Sequence, residues 1–79
     1  MEIVKGSVVI AKAGRDKGNM FVVTDLAEGF AYISDGKSRP VERPKRKNLM
    51  HLQPTSVVLA ENLDTNRKIK KALSNLKNS

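Results

Sequence analysis

The sequence predicts a mainly β domain, a small barrel of about five strands, followed by a C-terminal amphipathic helix. Three observations predict it. Two runs rich in β-branched residues, 7–12 and 20–24, close on a glycine-bearing loop. Short apolar runs then alternate with turn signals as far as Pro54. Beyond that the period changes, and Ile69, Ala72, Leu73 and Leu76 fall at i, i+3, i+4 and i+7, one face of a helix. The expected division is a barrel over residues 1–57 and a basic helical tail over 58–79.

Taken in order, the first strand spans residues 7–12. Val8, Val9, Ile10 and Ala11 are apolar on both faces, as in a strand buried on both sides. Such a strand suits a barrel covered on its outside by the tail. Residues 13–19 form the loop, where Gly14 and Gly18 let the chain reverse at low steric cost. Met20 to Leu26 returns as the second strand. Ala27, Glu28 and Gly29 make a tight turn into a third strand, Phe30 to Ser34. Asp35-Gly36 reads as a type I′ hairpin signal. Residues 37–41 are then the returning strand, at an edge or broken, because Pro40 has no backbone donor. Residues 42–48 read as a basic connection, and residues 49–53 as the last barrel strand, stopping at Pro54. Asp64 or Thr65 can cap the helix start. A helix of about three turns is marginal alone and needs a surface to pack on.

The stretch from Gly6 to Leu26 resembles the KOW motif: strand, loop with one key glycine, strand. Gly18 sits where that glycine sits. Val8, Ile10, Val22 and Val23 fill the apolar positions, and Gly6 and Lys12 also fit. The chain resembles short bacterial proteins that look like archaeal or eukaryotic-type large-subunit ribosomal proteins with one N-terminal KOW motif. The resemblance implies an SH3-like barrel that contacts RNA or protein. It makes ribosomal RNA the expected partner, with large-subunit ribosomal proteins as candidate neighbours.

Composition sets the limits. With 79 residues there is room for one small domain with a modest core. The net charge of +7 is uneven: residues 1–36 carry −1, residues 37–51 carry +5 and the remainder +3. That asymmetry points to a polyanion, with nucleic acid ahead of a membrane surface. There is no Cys, hence no disulfide framework or thiolate metal site. Neither a signal-peptide pattern nor an apolar run of membrane-spanning length is present, so a cytoplasmic location is the default expectation.

No catalytic residues, cofactor or metal are expected. Asp16, Asp25, Glu28 and Asp35 fall in or beside turns, where carboxylates are ordinary turn chemistry. His51 stands alone, and the serines have no neighbouring base pattern. The loop lacks the GK[ST] and following helix of a P-loop. RNA contact is expected at Lys12, Arg15, Lys17, Gly18 and Asn19 in the hairpin loop. It is also expected at Arg39, Arg43, Lys45, Arg46 and Lys47, long cations expected to stay extended and exposed. Phe21, Phe30 and Tyr32 read first as core, which so small a barrel needs; of the three, Tyr32 is the readiest to show an edge for base stacking. Three rivals stand beside RNA binding. One is a protein-interaction module in transcription–translation coupling, using the apolar face of the helix. Another is a NusG-type transcription factor, for whose extra domain this chain has no room. The third is membrane-surface binding, which lacks Trp or Phe anchors in the tail.

Overall fold

The computed structural model describes residues 2–60 and 63–77. Within them β1 (Ser7–Ala11), β2 (Met20–Ala27), β3 (Phe30–Ser34), β4 (Lys45–Asn48) and β5 (Leu52–Val58) form one antiparallel sheet. Its strand order is β4-β3-β2-β1-β5, and α1 (Asn66–Lys77) follows. β4 and β5 lie at opposite ends of that order, yet only a 3₁₀ turn, Leu49–His51, joins them. In a flat sheet those edges would lie about 19 Å apart, beyond the roughly 10–14 Å that such a link can span. The sheet is therefore rolled on itself. Two register irregularities help it curl, one between Ser7 and Val9 against β5 and one between Val23 and Asp25 against β3.

Rolling gives the sheet two buried faces. Val9 pairs with Phe21 and Val8 with Val22, so neighbouring residues point to opposite sides. Val9, Ala11, Phe21, Val23, Ala31, Ile33 and Leu52 form the inner cluster, closed by Ile3 and Leu49. Val8 and Val22 point outward and meet Ile69 and Leu73 of α1. The doubly apolar pattern of β1 thus has a physical cause: one face fills the barrel and the other seats the helix. Leu76 and Met20 extend this outer contact.

The start of α1 is set by side chains. The Thr65 Oγ1 accepts from the Lys68 amide at 3.3 Å, an N-cap bond. Asn66 ties the helix to residues 41–42: its Oδ1 accepts from the Val41 amide at 2.7 Å, and its Nδ2 donates to the Glu42 carboxylate.

Two strands differ from expectation. Residues 37–41 are not the fourth strand. The Asp35 Oδ1 accepts from the amides of Lys37 (2.9 Å) and Arg39 (2.8 Å), and Oδ2 accepts from the Ser38 hydroxyl. The Ser34 hydroxyl and the amides of Asp35 and Gly36 all donate to the Arg39 carbonyl. The segment closes into a self-bonded loop, so its backbone groups are unavailable to a ladder. The fourth strand is instead Lys45–Asn48, in the supposed basic connection. Its polar composition suits an exposed edge, where cations discourage pairing with another chain. The last strand also starts later than expected and runs through Pro54, which sits opposite Val9 on the outermost strand.

Candidate nucleic-acid interface

The loop between β1 and β2 is held by its own backbone. The Gly18 amide donates to the Ala11 carbonyl (2.8 Å), the Ala11 amide to Asn19 (3.0 Å) and the Asn19 amide to Asp16 (2.9 Å). Gly18 has φ +86°, and no atom lies within 4 Å of where a Cβ would stand. Glycine is required there by backbone conformation, not by crowding.

Long-range tethers then fix the loop against the rest of the sheet. Asp16 is only 6% exposed and its carboxylate takes the Arg39 guanidinium at 2.9 Å. The Lys47 ammonium donates to the Ala13 carbonyl at 2.9 Å, and the Lys12 amide to the His51 carbonyl at 2.8 Å. Lys12, Arg15, Lys17 and Asn19 remain exposed, and none of their side chains bonds to another described residue. The loop is a stiff scaffold carrying unpaired cations.

This corrects the picture of residues 39–47 as a freely extended basic strip. Arg39 and Lys47 are structural: they hold Asp16 and Ala13. The Arg39 Nε is buried, and although 28% of the side chain stays exposed its guanidinium is engaged by Asp16. Arg46 lies over the Phe30 ring, 4.2 Å from its centroid, a cation–π contact. Arg43 and Lys45 are exposed and unpartnered among the described residues. Phe21 is wholly buried as expected. Phe30 is not core; like Tyr32 it is half-buried, on the outward side of β3, because Ala31 and Ile33 take the inward positions.

A second basic surface was not singled out from sequence. A groove of about 590 Å³ runs between α1, the 35–38 loop and the foot of the hairpin loop at Asn19 and Met20. Lys37, Arg67, Lys70, Lys71 and Lys77 line it, against the single carboxylate of Asp35. Burial pushes the Asp35 carboxyl up, but the Arg39, Lys37 and Ser38 donors outweigh this and hold it below its ordinary value. The signal for the groove was present in the helix period: residues 67, 70, 71, 74 and 77 form a stripe beside the apolar one. What faced that stripe was not legible.

Among the described residues, no cluster of three or more His, Cys, Asp or Glu could hold a metal ion. No helix among them is long and apolar enough to cross a membrane. Neither a scan against protein-family models nor a search of curated proteins finds a match to this chain.

Proposed function

We propose that this chain is an RNA-binding protein, ribosomal or ribosome-associated, working in the cytoplasm on structured ribosomal RNA. One observation carries the reading. The hairpin loop is rigidly tethered at Ala11, Ala13, Asp16 and Lys12, yet presents the cations of Lys12, Arg15 and Lys17 unpaired. A preorganised set of cations meets phosphates with little ordering cost. Arg43 and Lys45 extend the contact along the backbone. RNA shape supplies more of the specificity than base edges do, since Asn19 is the only amide side chain in the loop. The resemblance of Gly6 to Leu26 to the KOW motif supports the same reading. The protein-interaction alternative loses its proposed surface, because Ile69 and Leu73 are covered by the chain's own sheet.

The test is co-sedimentation of the tagged protein with ribosomes and separated subunits, at low and high salt. Migration with the large subunit, reduced by salt, is expected. Free protein at the top of the gradient in both conditions overturns the reading. Within it, Arg15→Glu with Lys17→Glu weakens binding far more than Lys5→Glu. Equal losses overturn the assignment of the loop.

A further inference from the structure

The five cations of the α1 groove are a burden on the isolated chain. Arg67, Lys70 and Lys71 stand at i, i+3 and i+4, where like charges repel along a helix. Arg67 also sits in the first turn, where the helix dipole disfavours a cation, and that turn holds no acidic residue. None of the five side chains makes an ion pair or hydrogen bond with a described residue. Lys68, on the same helix but away from the groove, does have a carboxylate partner, Asp64 at 3.2 Å. The α1 lysine outside the groove stripe is therefore paired with a carboxylate from the segment before the helix, while the cations within the stripe have no such partner. Asp35 offsets only one of the five charges, and its two oxygens are taken by neutral donors of its own loop, so it forms no ion pair with any of them.

We infer that the groove between α1 and the 35–38 loop binds a phosphodiester backbone, continuing the track that begins at the hairpin loop. The inference rests on the RNA-binding reading and adds a second contact surface to it. Asn19 belongs to both, standing in the hairpin loop and lining the end of the groove. Docking of α1 on the sheet is what makes the track continuous. Segments separated in sequence by some 50 residues, the foot of the hairpin loop at Asn19 and Met20 and the stripe at 67–77, line one groove. The groove takes phosphates as point charges, because four of its five cations are lysines.

The experiment measures affinity of the full chain for an RNA stem-loop across a series of potassium chloride concentrations. The groove variant is Lys70→Gln with Lys71→Gln and Lys77→Gln. The hairpin variant is Arg15→Gln with Lys17→Gln, and Lys68→Gln is the control on the same helix. Each neutralised phosphate contact lowers the slope of log affinity against log salt by about 0.7–0.9. A loss of about 2 in slope for the groove variant, with Lys68→Gln unchanged and the groove variant melting no lower than the native chain, is expected. Ser74→Glu puts one negative charge in the groove without removing a lysine; it should weaken binding at low salt, whether or not the triple variant folds. An unchanged slope in the groove variant beside a flattened one in the hairpin variant overturns the groove and leaves the RNA reading standing. No salt-dependent RNA binding by the native chain, or retention on anionic vesicles alone, overturns both.

Discussion

Replacing Ile69 by Ala tests whether α1 is part of the folding unit. Ile69 is fully buried, in the outer cluster with Val8, Val22 and Leu73. The change removes roughly three carbons at about 0.8 kcal/mol each, or about 2.4 kcal/mol of transfer energy. The cavity left between helix and sheet adds to this, and large-to-small core changes of this kind cost about 2–5 kcal/mol. The higher helix propensity of Ala returns a few tenths of a kcal/mol. The net expectation is about 3 kcal/mol of destabilisation. A 79-residue domain has about 4–12 kcal/mol in all, so the variant is weakened but folded.

Urea unfolding reads the effect with two probes. Tyr32, the single tyrosine in a chain without Trp, lies on β3 and reports the sheet. Far-UV circular dichroism follows α1. With an m-value of about 1 kcal/mol/M, both midpoints should fall together by about 3 M. Asn75→Ala, on the exposed side of α1, should move neither beyond about 0.5 kcal/mol. An unchanged Tyr32 midpoint beside early loss of the helical signal would refute the reasoning. It would mean that the helix contributes nothing to the sheet.

Two further outcomes follow from the 34–39 loop. Gly36 has φ +80°, and a Cβ there collides with the Asn66 carbonyl oxygen and lies 2.9 Å from the Lys70 Cγ; Gly29, at φ +79°, has nothing within 4 Å. Gly29→Ala should cost about 1–2 kcal/mol for the left-handed conformation alone, and Gly36→Ala should cost clearly more in thermal denaturation. Equal costs would show that the contact between this loop and α1 is not close. Asp35 titrates below its ordinary value in the folded chain, so its stabilisation is complete above the unfolded value of about 3.9 and is lost as pH falls through the folded one. Native protein should therefore exceed Asp35→Asn in stability at neutral pH, with the gap closing in acid. A gap independent of pH would contradict the role given to those hydrogen bonds.

Local patterns were enough wherever one element's own residues carry the information. The β1–β2 hairpin and its glycine at position 18, the third strand, and the apolar stripe of Ile69, Leu73 and Leu76 were all legible. In each, a short period in hydrophobicity records which side meets the core. β4 was not legible, because Lys45–Asn48 carries no apolar period; it is a strand through its pairing with β3 at an edge. The Asp35-Gly36 pair misled for a related reason: Asp35 satisfies its own loop instead of closing a hairpin. The interface divides in the same way. Composition alone marks the chain as cationic and names the cations. Which of them stay free depends on contacts between distant residues. Arg39 reaches back 23 positions to Asp16 and Lys47 reaches 34 to Ala13, so two expected contact residues become struts. The groove exists only because α1 lies across β1 and β2, bringing its basic stripe to the foot of the hairpin loop. Charge is a property of residues, but the shape that gathers it arises from packing, which no local window of sequence contains.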